Sequence, residues 1–206
     1  MTIKFNKRKY GVQEFGRSMI EMLGVLAIIG ILSAGGISAY RKAMTKYEAN
    51  KWTEDMQLVV ENFTFYAEEW KRIAKKQYTG RIVGVTEYVY DAGLVPQYMK
   101  QSVSNFGAYP DKIAFRVYIK TNDLAFSEKC RNLFNQVILP HNETISFVHR
   151  YGYNGSDNSS HQIYYKGWDS CKTNDKCLLT FTFNDVLEAC RYYEKEIGVS
   201  FVLYFK

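Results

Sequence analysis

The first third of the chain shows two successive patterns of apolar and polar positions. Residues 1–16 are polar, with basic residues near their start, and residues 22–40 then run for 19 positions without a charge, as MLGVLAIIGILSAGGISAY. As a helix, this run would be about 28 Å long, which nearly matches the hydrocarbon core of a bilayer. The pattern therefore predicts one membrane-spanning helix behind a short basic leader.

The apolar run passes without a proline into an amphipathic stretch that reaches about Tyr78. Apolar residues recur there at spacings of three and four, which is typical of one buried helix face. We predict a single helix of roughly 60 residues, with a membrane-spanning part over residues 17–40, whose run 22–40 is apolar all round, and an amphipathic part over residues 41–79. The buried face comprises Met56, Val59, Val60, Phe63, Ala67, Trp70 and Ala74, and the charged face Glu61, Glu68, Glu69, Lys71, Lys75 and Lys76.

Beyond Gly80, short runs rich in Val, Ile, Tyr and Phe alternate with turn-forming residues. Residues 113–119 alternate as a half-buried strand should. Two stretches look helical, residues 121–139 and residues 184–198, the latter with Asn184 as its cap and Gly198 as its terminator. The fold class is therefore α+β, with an antiparallel sheet in residues 80–206. Further candidate strands are 145–148, 178–183 and 199–205, and residues 152–160 read as a polar loop.

Charge gives the orientation of the membrane segment. Basic residues in the leader, and no comparable cluster just beyond Arg41 and Lys42, place the N-terminus in the cytoplasm and the rest outside. An ordinary secretory signal also has a basic start and an apolar core. It is disfavoured because the run is longer than a usual signal core and flows into a second helical stretch.

The net charge of the chain does not by itself indicate a nucleic-acid partner. The chain carries 27 basic and 21 acidic residues, or +6, and removal of residues 1–16 leaves 23 and 20, or +3. We expect no DNA binding, because the 17 tyrosines and 13 phenylalanines are more typical of a core and of subunit contacts than of a stacking platform.

Four cysteines lie in the C-terminal half, and an even count in an exported chain favours disulfides. Three pairings of Cys130, Cys171, Cys177 and Cys190 are possible. We expect no metal site, because no two cysteines have zinc-knuckle spacing and the three histidines form no cluster with them. We also expect no cofactor and no enzyme activity, since no nucleophile elbow, phosphate loop or paired-histidine helix occurs.

One segment of the chain has a pattern that is specific enough to indicate a protein family. Residues 16–40, GRSMIEMLGVLAIIGILSAGGISAY, resemble the prepilin N-terminus of type IV pilins and pseudopilins. The resemblance implies cleavage after Gly16 by a prepilin peptidase, with Arg17 as the first mature residue and Glu21 as the fifth. The family usually begins its mature chain with a methylated phenylalanine or methionine, so Arg17 departs from that pattern.

The resemblance also implies an assembly role for Glu21, because a carboxylate at the head of a membrane helix needs a partner. That partner would be the N-terminal amine of a neighbouring subunit. Two alternatives stay open: Glu21 marks the end of the apolar run, or it pairs with Arg17 four residues earlier in its own helix. Packing of helix against helix in a filament would use Leu23, Leu26, Ile28, Ile29, Ile31 and Leu32, with close approach or bending at Gly24, Gly30, Ala34, Gly35 and Gly36.

A weaker resemblance to type IVb pilins covers the rest of the chain. In that group one cysteine lies on a helix after an early strand, and a second cysteine lies on a helix near the C-terminus. The segment AFRVYIKTNDLAFSEKCRNL, with Cys130, resembles the first arrangement, and FNDVLEACRYYEKEIG, with Cys190, resembles the second. This implies a Cys130–Cys190 pair and leaves Cys171–Cys177 as a small surface loop. It further implies a pilin fold, with leader 1–16, assembly helix 17–40, amphipathic continuation 41–79 and head 80–206.

The function implied by the resemblance is that of a structural subunit. Such a precursor resides in the bacterial inner membrane and then self-associates, through the pilus assembly machinery, into an extracellular pilus used for adhesion, motility or aggregation. The alternatives are a pseudopilin of a type II secretion system and a monomeric signal-anchored binding protein.

Overall fold

The computed structural model describes residues 15–154, 160–172 and 175–206, and the side chains of all of these except residues 15–18 and Ser160. The predicted leader, residues 1–16, lies outside this part of the chain apart from the backbone of its last two residues. The chain divides into two compact units between Met44 and Thr45.

The N-terminal unit is built by a single helix. Helix α1, Phe15–Phe65, includes all of the described residues of this unit and continues through five glycines without a break. It is the only helix of the described chain that is long and apolar enough to cross a membrane, and none of its apolar window is buried. The prediction of a long apolar N-terminal helix is thus confirmed.

The prediction of one uninterrupted helix to residue 79 is wrong at Tyr66. Helix α1 ends at Phe65, Tyr66 has φ −94° and ψ 15°, and helix α2 spans Ala67–Gln77. Side chains occupy backbone acceptors just before the break: the Thr64 hydroxyl donates to the Val60 carbonyl at 2.7 Å, and the Trp70 indole N–H donates to the Phe63 carbonyl at 3.2 Å. Side-chain bonds of this kind can bend a helix, and the break comes directly after two of them, whereas the single bond from Thr53 to the Ala49 carbonyl leaves α1 unbroken.

The amphipathic pattern of residues 41–79 is confirmed by burial. The predicted apolar face packs into the hydrophobic core of the second unit, with Ala67 partly buried at its edge. Trp52 and Thr53 also lie on the buried side of α1. Among the predicted charged residues, Lys71 is partly covered and the other five are exposed.

The second unit contains a seven-stranded sheet in the order β1-β2-β3-β7-β4-β5-β6. All neighbouring strands are antiparallel except β5 and β6, which are parallel. The C-terminal strand β7 lies at the centre, between β3 and β4. The strands are β1 Val83–Gly84, β2 Val103–Ala108, β3 Ile113–Lys120, β4 Ile145–Tyr153, β5 Ser160–Lys166, β6 Lys176–Cys177 and β7 Gly198–Phe205.

The predicted strands 113–119, 145–148 and 199–205 are confirmed as parts of β3, β4 and β7, whereas β1, β2, β5 and β6 were not predicted. The strand predicted at residues 178–183 is wrong, because Leu178–Thr180 forms a 3-10 turn. The loop predicted at residues 152–160 is partly wrong, since β4 extends to Tyr153, and residues 155–159 of that loop lie outside the described chain.

Both helices predicted in the second unit are shorter than expected. Within residues 121–139, helix α4 spans only Phe126–Asn132 and is followed by a π-helical turn, Leu133–Ile138. Within residues 184–198, helix α5 spans Phe183–Ala189, and its cap is Thr182 rather than Asn184. Gly198 does not terminate this helix but begins strand β7. Helix α3, which was not predicted, spans Thr86–Asp91.

Candidate membrane and assembly site

Residues 19–43 of α1 are all exposed, although most of them are apolar. Large apolar side chains are therefore not covered by any part of the chain that the structure describes, and their exposure to water is unfavourable. The residues predicted to pack helix against helix are exposed by 61% at Leu23, 59% at Leu26, 59% at Ile28, 53% at Ile29, 74% at Ile31 and 68% at Leu32. This surface needs lipid or another protein.

Glu21 lies near the start of this apolar surface and is itself exposed. Among the side chains that the structure describes, Glu21 forms no ion pair. The backbone of Gly16 and Arg17 belongs to α1, whereas their side chains lie outside the described part. In a membrane, the Glu21 carboxylate would therefore call for a partner beyond the described residues.

Four glycines of α1 pack against no other residue that the structure describes. A Cβ added at Gly24, Gly30, Gly35 or Gly36 would meet no atom within 4 Å. Glycine in a helix interior costs about 1 kcal/mol relative to alanine, so the sequence carries this cost without an internal benefit. Small residues on a membrane helix allow a second helix to approach closely, which gives these positions a use in assembly.

Two disulfides tie the second unit, and they join the same pairs that the resemblance implied. Cys130 of α4 is bonded to Cys190, the residue that follows α5, with Cα atoms 5.7 Å apart. Cys130 is completely buried, so this bridge lies in the core. It connects two short helices that are 60 residues apart in sequence.

The second disulfide, Cys171–Cys177, closes a surface loop. Within that loop the Asp175 carboxylate accepts from the Lys172 backbone at 3.0 Å and pairs with Lys166 of β5 at 3.0 Å. These bonds lower the pKa of Asp175, with the Lys166 hydrogen bond as the largest cause. The loop is thus fastened to the sheet edge by charge as well as by the disulfide.

The second unit contains a buried ionic cluster that was not predicted from the sequence. Arg150 of β4 is completely buried and lies 3.4 Å from the carboxylate of Glu196, whose side chain is 2% exposed. The guanidinium also donates to the His161 carbonyl at 2.8 Å and to the Arg191 carbonyl at 2.6 Å. Glu196 also accepts from the Tyr193 backbone N–H at 3.0 Å and contacts the His161 ring at 3.1 Å.

The cluster fixes the chain between Cys190 and strand β7, because its bonds span residues 191–196. The alternating pattern of β4 places Arg150 on the core side, but no local signal identifies Glu196 as its partner. Only the fold brings these two residues together.

The histidines have separate surroundings. His141 lies 2.7 Å from the Val137 carbonyl, and His149 stacks on Tyr164 with ring centroids 4.3 Å apart. Burial lowers the pKa of His149, and its hydrogen bond to Gln162 acts in the opposite direction. In the part of the chain that the structure describes, no three His, Cys, Asp or Glu side chains could together hold a metal ion.

Comparison with known proteins adds no family to this description, since no family model, curated protein or solved structure matches the chain.

Proposed function

We propose that the chain is the precursor of a filament subunit of the type IV pilin class, cut after Gly16 and assembled through helix α1. The observation that carries the proposal is the combination on α1 of an uncovered apolar surface, a carboxylate at its head and four glycines without an internal packing role. A simple membrane anchor has no use for Glu21, because a charge near lipid costs free energy unless it is paired.

The second unit supports the same proposal. Its two disulfides suit an oxidising compartment outside the cytoplasm, where we expect the residues beyond the membrane segment to lie because of the basic leader. Its sheet is antiparallel-rich, and the later part of α1 packs into its core. A pilin fold has this combination of elements.

Proteolysis tests the processing step. Co-expression with a prepilin peptidase should yield a mature N-terminus at Arg17, and Gly16→Val should block the cut. Intact mass spectrometry reads out the cleavage position. Cleavage elsewhere, for instance after Ala39, would identify an ordinary secretory signal and overturn the proposal.

Assembly is tested by Glu21→Ala, with Glu48→Ala as the matched control. Glu48 is an exposed carboxylate on the same helix beyond the apolar run. Both variants should insert and be cleaved, because neither step needs the carboxylate, and only Glu21→Ala should abolish filaments. Sheared surface fractions examined by electron microscopy and immunoblot give the result, and normal filaments from Glu21→Ala would remove the assembly role.

The variant Arg17→Phe distinguishes between the two proposed partners of Glu21. If the carboxylate uses the Arg17 side chain of its own helix, this substitution strands it and weakens assembly. If it uses the amine of a neighbouring subunit, the substitution restores the family's usual residue, and filament yield is unchanged or higher.

Neighbouring genes distinguish the remaining readings. A prepilin peptidase, an assembly ATPase and a secretin gene beside this one would indicate filament machinery, and the other genes present would separate a pilus from a secretion pseudopilus. A subunit that is cut at Gly16 but stays monomeric in the membrane would favour the anchored binding protein.

A further inference from the structure

Arg116 of strand β3 forms no ion pair with any carboxylate in the part of the chain that the structure describes. Its side chain lies on the sheet face away from the core and is partly buried. Among the described residues, no acidic group lies within 4 Å of its guanidinium, and its one hydrogen bond is from Nη2 to the Ser104 hydroxyl at 3.2 Å. A guanidinium has five N–H donors, so most of them are unused.

Three other arginines of the second unit differ from Arg116, because each of them pairs with a glutamate. Arg150 in the neighbouring part of the sheet has Glu196, while Arg72 and Arg131 each have a glutamate three residues earlier in their helices. The Nε atoms of Arg116 and Arg150 are both buried without a hydrogen-bond partner, so the difference between the two arginines is the carboxylate, which Arg150 has and Arg116 lacks among the described residues. Partly buried charge without a counter-ion costs free energy, and an unsatisfied buried donor adds to that cost.

A pocket of about 240 Å³ opens at this guanidinium, lined by Gln101, Arg116, Tyr118, Tyr153 and Ser200. All of these residues belong to the second unit. The volume is below the 300–1,000 Å³ or so of sites for drug-sized molecules, so the pocket suits a group no larger than about one ring.

The pocket wall combines aromatic surface with hydroxyl groups. The rings of Tyr118 and Tyr153 meet edge to face, with centroids 6.0 Å apart. Burial raises the pKa of Tyr118, with Tyr153 acting in the same direction and Arg116 in the opposite one, so its hydroxyl is protonated at neutral pH. The Tyr118 hydroxyl donates to the Ile197 carbonyl at 3.5 Å and can still accept, while the Ser200 and Gln101 side chains can both donate and accept, which matches a ligand that carries several hydroxyls.

Two features set the position of this wall. A Cβ at Gly198, on the adjacent strand β7, would overlap the Tyr118 ring, so the ring lies directly against the β7 backbone. Lys120 follows Tyr118 on the same face of β3 and lines the next cavity together with Gln101 and Tyr118. Lys129 and Asp123 of that cavity form an ion pair, so Lys120 is the basic residue that extends the wall past Tyr118.

We propose that this pocket binds the carboxylate of an acidic sugar unit, with the Arg116 guanidinium as the anion contact and the Tyr118 and Tyr153 rings against the sugar. The planar guanidinium of arginine can form two parallel hydrogen bonds to a carboxylate. Aromatic rings can pack against the C–H face of a pyranose. The site is separate from assembly through α1, since it needs neither cleavage after Gly16 nor Glu21.

Isothermal titration of the full chain in detergent micelles tests the proposal. The probes are glucuronate and N-acetylneuraminate as acidic sugars, methyl glucoside as a neutral sugar, acetate as a bare carboxylate and inorganic phosphate. At least one acidic sugar should bind more tightly than the other three probes, and which one binds identifies the sugar. Absence of binding by both, or equal binding of methyl glucoside, acetate or phosphate, overturns the proposal.

Variants assign the binding to Arg116. Arg116→Gln should weaken the acidic sugar by about ten- to a hundredfold, the size expected for one lost charge-assisted contact. Arg81→Gln, which removes an exposed arginine outside the pocket, should leave the affinity unchanged. Equal loss in both variants would mean general charge attraction and overturn the assignment.

Arg116→Lys serves as a control for misfolding, because lysine keeps the positive charge and the aliphatic part of the side chain but lacks the planar guanidinium. It should fold with an unchanged circular dichroism spectrum and bind at least fivefold more weakly than the wild type. Full affinity in Arg116→Lys would contradict recognition by the guanidinium. Binding that survives in a Glu21→Ala protein without filaments would separate this result from that of the assembly proposal.

Discussion

The guanidinium of Arg150 lies 3.4 Å from the carboxylate of Glu196, and both side chains are sealed from solvent. Removing both charges from such a pair can be nearly neutral, whereas removing one leaves the other buried without compensation. The pair joins strand β4 to the segment just before strand β7, which is the central strand of the sheet. Its loss would therefore loosen the region between Cys190 and β7.

Glu196→Gln should destabilise the second unit by about 3–5 kcal/mol, because it strands Arg150 in the core. Glu194→Gln is the matched control, since Glu194 is exposed two residues away. Urea denaturation of the full chain in detergent, followed by tryptophan fluorescence, measures the difference. Equal midpoints for the two variants would show that the buried pair contributes nothing to stability.

Removal of the two disulfides should have unequal effects. Chain entropy gives about 4 kcal/mol for the 60-residue separation of Cys130 and Cys190, and about 2 kcal/mol for the 6-residue separation of Cys171 and Cys177. The double serine variant of the first pair also alters the core, because Cys130 is completely buried. Thermal melting of both double variants checks the order, and a larger loss from the surface pair would contradict it.

The Asp185 carboxylate should contribute a pH-dependent part of stability. It accepts from the Thr182 backbone at 2.7 Å and from the Thr182 hydroxyl in a capping box at the start of α5, and these bonds lower its pKa below the ordinary 3.8. A lowered folded pKa means that the contribution is complete above about pH 4 and is lost as the pH falls through the folded value.

Asp185→Asn should therefore cost about 0.5–2 kcal/mol at pH 7, and the difference from wild type should shrink below about pH 4. Urea midpoints at a series of pH values between 7 and 3 measure it. Asp111→Asn, at an exposed turn position, supplies the control, and a difference that stays constant down to pH 3 would contradict the assigned role.

Gly167 permits a close backbone approach at the end of strand β5. A Cβ at this position would overlap the carbonyl oxygen of Ile145 in strand β4, which cannot move without disturbing the sheet. Gly167→Ala should therefore destabilise the protein by about 1–3 kcal/mol. At Gly84 a Cβ meets nothing within 4 Å, so Gly84→Ala should be nearly neutral in the same thermal melt. Similar melting temperatures for the two variants would contradict the steric argument.

The sequence by itself determined the features that depend on neighbouring positions. The charge-free run of residues 22–40 is enough to predict a helix that can span a membrane, because length and apolarity set that property. The spacing of Met56, Phe63 and Ala74 gave the buried helix face, and alternation gave strand β3. Each of these signals lies within one segment of the chain.

The tertiary structure decided what depends on contacts between distant segments. Helix α5 ends at Ala189, and the Arg191 carbonyl just beyond it accepts a hydrogen bond from Arg150, 41 residues earlier in the chain. Strand β7 is central because it pairs with both β3 and β4, which no local pattern encodes. The Arg116 pocket has the same origin: its five residues come from four separate segments, and only strand pairing places them around one cavity.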